Sequence, residues 1–269
     1  MGTPVIVEAG RTALQKRNGA FVDEHAAKLL GHAQRGVLDR AGVEPAAVGQ
    51  LVGGCVTQAG EQASNVTRTA WLNQEFPYEV AATTIDAQCG SSQQANHMVA
   101  NLISAGAIDV GMATGVEHMS KIWLGANVPR VDDTFINGRS KPEGFPWDMP
   151  NQFGGAERIA AEHGITRERV DWLGMISQHK AATAVAEGRF EREIIPVEVT
   201  LADGTEVSVA TDGGCGTPRW NRSPVSRPSR PTGSITPATA RRSPTAQPPF
   251  FGWTRTVQPP RASGHGPES

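Results

Sequence analysis

Stretches with the pattern of a β-strand alternate with stretches with the pattern of an α-helix through the first 117 residues. The strand patterns cover 48–56, 82–85 and 109–113, and the helix patterns cover 25–41, 62–72 and 90–105. In the first helix, apolar residues recur from Ala26 to Ala41 at the spacing of one buried face, and Gly42 follows where a left-handed cap would lie. Strands joined through helices pair in parallel and are covered by helices, so the pattern predicts an α/β fold with a layered α/β/α core.

The regularity fades after this first domain, which we predict to span 1–117. Residues 118–154 are rich in Gly, Pro and Asn, which is typical of an excursion over the surface. Two helices are then predicted at 155–163 and 167–187, with Thr166 as the N-cap of the second. A β-hairpin is predicted at 194–210, turning through Asp203 and Gly204. These elements form a second predicted unit, 118–212.

The composition changes abruptly after Asp212. Residues 213–269 hold eleven of the 19 prolines, eight arginines, no lysine, no leucine and a single acid, Glu268. No apolar period of a strand or a helix continues there. Such a segment cannot bury enough apolar surface to offset the entropy of ordering it, so 213–269 is predicted to be disordered. The net charge of −2 is therefore the sum of an acidic part and a basic tail.

The three cysteines, Cys55, Cys89 and Cys215, are odd in number and widely spaced. This argues against a secreted disulfide framework and favours a cytoplasmic location. The N-terminus lacks the apolar core of a signal peptide, and no run of about 18 apolar residues suggests a membrane span. The histidines show no metal-ligand spacing, so no metal site is predicted.

Cys89 is the most informative residue of the chain. It follows a short strand and a turn of small residues, and it precedes a helix whose apolar face includes Ala95, Val99 and Leu102. Unpaired backbone N–H groups at a helix N-terminus favour an anion, and the thiolate is the form of cysteine that attacks thioesters. A buried structural cysteine is the alternative that spacing alone leaves open, because free cysteine is among the most commonly buried residues.

The stretch Cys89-Gly90-Ser91-Ser92-Gln93-Gln94-Ala95 resembles the nucleophile signature of the thiolase family, with Ser92 where the family usually has Gly. Other motifs agree in order, from residue 3 to residue 212. They are Glu8 to Thr12 in the opening strand, Gly53 to Val56, Asn65 with Arg68, Glu117-His118-Met119-Ser120, Asn151 to Phe153 with Ala156 and Glu157, and Glu187 to Phe190 with Glu193 and Ile194. Within the family, these motifs most resemble those of actinobacterial thiolases of lipid and steroid breakdown.

The resemblance implies a thiolase-like core at 1–117, part of a substrate-covering loop domain at 118–212, and Cys89 as nucleophile. Coenzyme A thioesters would be substrates, no cofactor would be bound permanently, and the assembly would be a homodimer or homotetramer. The family also uses a histidine of a GHPxG motif, a second cysteine of a CxGGG motif and an asparagine of an NEAF motif. None of these motifs occurs here, so this chain is expected to be inactive by itself; Gly264 to Pro267 has the wrong order.

A shift of the reading frame would explain the unusual composition of the tail. When 215–227 and 237–247 are back-translated and read in one other frame, both give thiolase-like sequence, including Gly-Asn-Ser-Ser-Gln-Ile-Thr-Asp-Gly-Ala from the second. Our hypothesis is a frameshift near Asp212, which DNA sequencing across the codons for Val209 to Gln247 tests.

Three alternatives remain open from the sequence. A decarboxylating ketoacyl synthase shares the layered core and the nucleophilic cysteine, although the Glu117 to Ser120 stretch favours thiolase. A noncatalytic acyl-CoA-binding remnant is the second. The third is a nucleic-acid-binding arm, because the arginine-rich tail contains Phe250, Phe251 and Trp253. A GC-rich gene read out of frame yields arginine and proline without selection for binding, so neither nucleic acid nor membrane is predicted as a partner.

Overall fold

The computed structural model describes residues 3–128, 130–131, 134–135, 142–147, 152–213 and 253–258. Their helices and strands follow the chain in this order: β1 Val5–Arg11, α1 Ala26–Ala41, β2 Gln50–Gly54, α2 Val66–Asn73, β3 Ala81–Ile85, α3 Ser91–Ser104, β4 Gly111–Gly115, β5 Arg130–Val131, β6 Thr134–Phe135, α4 Gln152–Glu162, α5 Arg167–Ala186, β7 Val197–Thr200, β8 Glu206–Val209 and β9 Trp253–Gln258.

The boundaries of α1 confirm its prediction and have clear local causes. The side chain of His25 accepts a hydrogen bond from the backbone N–H of Ala27, so His25 is the N-cap. Gly42 ends the helix in the left-handed region, with φ 62°. Glycine meets no side-chain penalty in that conformation, which is why helices so often end this way.

Several predicted elements begin or end a few residues away from their expected positions, α4 among them, which begins at Gln152 and not at residue 155. The helix predicted from residue 62 begins at Val66, because 60–62 form a separate 3₁₀ turn and Asn65 caps α2. The strand predicted at 109–113 lies at Gly111–Gly115, where it runs parallel to β2. Apolar runs locate an element well, whereas its ends depend on caps and on the register of the neighbouring strand.

The main sheet has the strand order β1-β9-β4-β2-β3, and β2 pairs in parallel with both β3 and β4. Its two faces bury different residues because successive side chains of a strand point to opposite sides. On one face, α1 and α2 pack through Leu38, Leu51, Trp71 and Met112. On the other, α3 packs through Val52, Ala95, Val99, Ile103 and Ala113. The predicted layered α/β/α core is confirmed.

Strand β9 places six residues of the tail, for which disorder is predicted, in this sheet. It lies between β1 and β4 and pairs antiparallel with both. Its sequence, Trp-Thr-Arg-Thr-Val-Gln, is rich in strand-forming residues and lacks Pro and Gly, a local signal that the tail's bulk composition conceals. The sheet gives this segment hydrogen-bond partners on both sides, which an isolated strand lacks. The other tail residues from 214 onward lie outside the described residues.

The second predicted unit carries α4, α5 and the hairpin of β7 and β8. The hairpin confirms its prediction, with Gly204 at φ 83° in the turn. The unit is tied to β1 by Arg11, whose guanidinium forms two hydrogen bonds, of 2.7 and 2.9 Å, with the carboxylate of Asp212. Arg11 also reaches Glu193 at 2.7 Å. Burial lowers the pKa of Arg11, but these two carboxylates outweigh it and raise the pKa, so Arg11 stays charged.

Candidate active site

Three parallel strands bring the predicted site residues to one edge of the sheet. β2, β3 and β4 end side by side, and the backbone N–H of Cys55 donates to the carbonyl of Ile85 at 3.0 Å. The N–H of Val116 donates to the carbonyl of Gly54 at 3.1 Å. The segments that follow these strands carry Cys55, the turn at 86–90 and Glu117, so residues distant in sequence become neighbours.

The turn between β3 and α3 is tight and contains one residue in an unusual conformation. Gln88 has φ 52°, in the left-handed region that residues with a side chain seldom adopt. Its N–H donates to Oδ1 of Asp86 at 2.8 Å, an Asx-type turn. The N–H of Gly90 donates to the carbonyl of Ala87 at 3.2 Å. These bonds bring Cys89 to the position just before α3.

The hydroxyl of Ser91 closes the same turn from the first residue of α3. Ser91 Oγ accepts a hydrogen bond from the N–H of Ala87 at 2.9 Å and donates one to the carbonyl of Gln88 at 2.6 Å. Ser91 is 4% exposed. In the sequence, Ser91 stands out only as part of the family signature. A hydroxyl two residues after a cysteine, in a turn of small residues, is the signal that could have identified it.

Cys89 is exposed, as are its neighbours from Asp86 to Gly90. Helix α3 begins at Ser91 with Gly90 as N-cap, and no described side chain caps it there. The thiol therefore lies beside the N-terminal end of a helix, where the backbone N–H groups favour an anion. This position is open to a large thioester and is suited to nucleophilic attack.

Cys55 has the buried environment that the alternative interpretation predicted for Cys89, whereas Cys89 is exposed. It is 1% exposed. Burial raises its pKa far above the ordinary value, and the nearby carboxylate of Glu117 raises the pKa further. A thiol that keeps its proton is a poor nucleophile. The two described cysteines at this edge of the sheet are thus in opposite environments.

Glu117 organises the loop that follows β2. Its carboxylate accepts hydrogen bonds from the backbone N–H groups of Val56 and Thr57, and from the side chain of Gln62. The Gln62 amide oxygen accepts from the N–H of His118 in turn, and Gln62 itself is fully buried. These contacts give Glu117 a structural role in the loop. The role of Gln62 was not predicted, because a glutamine gives no sign in the sequence that it is buried.

Ser92 lies where α3 approaches the sheet most closely. A Cβ added at Gly115 would come 1.9 Å from Ser92 Oγ, and one added at Gly54 would come 2.3 Å from the Ser92 nitrogen. The hydroxyl of Ser92 is therefore directed at β4, on the sheet side of the helix. The two strand-end glycines allow the N-terminus of α3 to lie this close to the sheet.

His97, one of the histidines that show no metal-ligand spacing in the sequence, is exposed on α3. Among the residues that the structure describes, no group of three or more His, Cys, Asp or Glu side chains is arranged to hold a metal ion. Phe250, Phe251 and the stretch from Gly264 to Pro267 lie outside that part of the chain, and Trp253 is described only as part of the backbone of β9.

Comparison with known proteins bears on the whole of this arrangement. Residues 4–238 match the model of the thiolase N-terminal domain. The chain belongs to the thiolase family. The matched range covers both predicted units from residue 4 onward and ends beyond Asp212. It contains the complete turn around Cys89. The frameshift near Asp212 stays a prediction.

Individual thiolases show the same relationship. Steroid 3-ketoacyl-CoA thiolase FadA6 of Mycobacterium tuberculosis is 39% identical over 199 residues, which are 72% of this chain and 49% of the relative. A 3-ketoacyl-CoA thiolase of Pseudoalteromonas translucida is 37% identical over 218 residues, covering 79% and 53%. The crystal structure of the Bacillus anthracis acetyl-CoA acetyltransferase superposes with a TM-score of 0.76 at 26% identity, covering 96% of this chain and 66% of that one.

The chain spans about half the length of the curated relatives it matches. The residues matched to the family model include the core strands β2, β3 and β4 and the stretch from Cys89 to Ala95.

Proposed function

We propose that Cys89 is the nucleophile of a thiolase-type acyl transfer between coenzyme A thioesters. The single observation that carries the proposal is the exposed thiol held just before α3, in a family match that spans the site. Cys55, which directly follows β2 at the same edge of the sheet, gives a contrast that supports the proposal. It is buried and its pKa is raised, so its thiol keeps its proton and is a poor nucleophile.

The proposed first step exchanges one thioester for another. The Cys89 thiolate attacks the carbonyl carbon of an acyl-CoA, and a new thioester forms between the acyl group and Sγ. The bond between that carbon and the coenzyme A sulfur breaks, and coenzyme A leaves as a thiolate that takes a proton from solvent. C2 of an acetyl-CoA then loses a proton and receives the acyl group, and the bond to Sγ breaks. With a 3-ketoacyl-CoA, the thiolate attacks the ketone carbon instead, the bond between that carbon and C2 breaks, and acetyl-CoA leaves as a carbanion that takes a proton. Coenzyme A then receives the acyl group and Sγ is released as the thiolate. Thioesters are substrates in this scheme and are not resident cofactors.

The later steps require groups that these 269 residues do not contain. By family resemblance, a histidine activates the nucleophile, a second cysteine transfers protons and an asparagine helps to stabilise the oxyanion. We propose that this chain supplies the acyl-accepting cysteine and the fold around it, and that turnover needs the missing groups. A homodimer or homotetramer and a cytoplasmic location stay predictions. Within the described residues, no helix is both long and apolar enough to cross a membrane.

Acylation of the full chain tests the proposal. The purified protein is incubated with acetyl-CoA and with a 3-ketoacyl-CoA, and the cysteine peptides are examined by mass spectrometry. We expect the Cys89 peptide to gain one acyl group in the wild type and in Cys215→Ser, which removes another thiol, and no acyl peptide in Cys89→Ala. Binding of coenzyme A without any acyl-Cys89 would favour the noncatalytic acyl-CoA-binding alternative. Acylation that persists in Cys89→Ala would refute the proposal.

A further inference from the structure

The hydroxyl of Ser91 has no role in the chemistry proposed above, yet it is buried beside the nucleophile. It uses its proton on the carbonyl of Gln88 and a lone pair on the N–H of Ala87. Both partners belong to the turn that ends in Cys89. We propose that Ser91 is a positioning residue, which holds the strained turn at Gln88 and so fixes the Cys89 thiol at the N-terminus of α3. This inference rests on the proposed function of Cys89.

The conformation of Gln88 is the reason that the turn needs such support. A residue with a side chain pays a steric penalty in the left-handed region, and such residues persist only where the surroundings over-determine them. Here one hydroxyl binds the N–H of the residue before the strained one and the carbonyl of the strained residue itself. The Ser91 backbone N–H adds a bond of 3.0 Å to the same Gln88 carbonyl. Since Ser91 is 4% exposed, water cannot easily replace the hydroxyl.

The other supports of the turn cannot take over this task. Asp86 binds the N–H of Gln88, but it is exposed and its hydrogen bond competes with water. The sheet blocks movement from below, because the close approach of Ser92 to Gly54 and Gly115 leaves no room there. The turn can therefore relax on its outer side, by rotation of the peptide group that follows Gln88, whose carbonyl accepts a hydrogen bond from Ser91 Oγ. Ser91 is the buried residue that opposes this rotation.

The first experiment compares the labelling of two cysteines in the full chain. Iodoacetamide is added, and the rates at Cys89 and Cys55 are read separately by mass spectrometry. If Ser91 positions the thiol, Ser91→Ala lowers the rate at Cys89 about tenfold across the pH profile, the effect of losing two hydrogen bonds. Cys55 stays unlabelled as long as the core is closed. Ser104→Ala is the matched control, since its hydroxyl bonds to the carbonyl of Ala100 in the same helix.

A second substitution separates positioning from packing. Glycine accepts the left-handed region without penalty, so Gln88→Gly should keep the turn in place without the hydroxyl. We expect the double variant Ser91→Ala with Gln88→Gly to recover most of the Cys89 labelling rate. Hydrogen exchange should show faster exchange of the Ala87 amide in Ser91→Ala. A role in packing alone predicts no such recovery.

Each outcome decides the question. An unchanged Cys89 rate in Ser91→Ala, or a loss that Gln88→Gly does not restore, overturns the inference. If Ser91→Ala also exposes Cys55, the decision passes to Ser91→Thr, which keeps the hydroxyl: a wild-type rate supports the inference and a tenfold loss overturns it. A wild-type chain that acetyl-CoA does not acylate would refute the proposed function, while the labelling comparison would still test Ser91.

Discussion

The helices of the core and the helices of the second unit are held by different forces. Nine of the 16 residues of α1 are buried, whereas none of the 20 described residues of α5 is. α5 even leaves Trp172 and Leu173 more than half exposed. Its visible supports are local: Thr166 accepts a hydrogen bond from the N–H of Arg169, and Arg167 pairs with Asp171 one turn along. Burial therefore stabilises the core, while capping and helix propensity sustain α5.

The two regions share a buried apolar cluster, in which Val197 and Val199 of the hairpin lie with Leu30 of α1. Arg11 is the clearest polar contact between them. Its side chain is 6% exposed and that of Asp212 is 9% exposed. Asp212 also accepts a hydrogen bond from the N–H of Leu14 at 2.7 Å. One carboxylate thus satisfies a guanidinium and a backbone donor at the start of the chain. The contrast between the regions predicts that substitutions in the core, at this junction and in α5 have successively smaller effects.

The largest effect is expected from a matched pair of leucines. Leu30 of α1 is 0% exposed and Leu173 of α5 is 63% exposed. Leu30→Ala should lower the free energy of unfolding by about 3 kcal/mol, since it removes buried methyl groups and leaves a cavity. Leu173→Ala should change it by less than about 0.5 kcal/mol. Urea unfolding of both variants measures the difference, and equal effects would contradict the contrast.

At the junction, Asp212→Ala should cost about 2 kcal/mol. Removing one partner of a buried ion pair leaves the other charge uncompensated. Glu193 stays beside Arg11 and limits the loss. Thermal unfolding measures the change, and Asp203→Ala in the exposed hairpin turn is the control. A junction variant as stable as the control would show that the second unit does not depend on Arg11.

Alkaline pH should weaken the core through Cys55. Burial and Glu117 raise its pKa above the ordinary 9.0. The folded state therefore keeps a proton that the unfolded state loses, so this contribution is complete below pH 9.0 and declines above it. The free energy of unfolding should fall by about 1.4 kcal/mol for each pH unit above that value. Cys55→Ala should show a shallower decline than Cys215→Ser. Equal slopes would mean that Cys55 titrates normally.

The smallest effect is expected at the cap of α5. Thr166→Ala should destabilise the first turn of the helix by about 1 kcal/mol. Because α5 buries none of its described residues, the loss should stay local: hydrogen exchange should quicken at Arg169 and Val170, while exchange in α1 is unchanged. Thr183→Ala, within the same helix, is the control. Equally faster hydrogen exchange in α1 and α5 would indicate that the two regions unfold together.

Much of the fold and the position of Cys89 could be predicted, because they depend on residues that are close together in the sequence. The apolar spacing of α1, the glycine at its end and the cysteine before α3 all lie within short windows, and the structure confirms their positions. Two features were missed for physical reasons. Ser91 matters through its bonds to Ala87 and Gln88, which depend on a backbone angle that the sequence does not show. β9 lies in a tail whose average composition conceals a short strand, and its partners are far away in sequence.

The sequence by itself determined the alternation of strands and helices, the layered fold and the thiolase family. These follow from local periodicity and from motifs that need only neighbouring residues. Only the tertiary structure decided which cysteine is exposed, which hydroxyl holds the turn and which carboxylate faces Arg11. Burial and hydrogen bonding between distant segments decide such questions, because the environment of a side chain is made by residues that the chain brings together only when it folds.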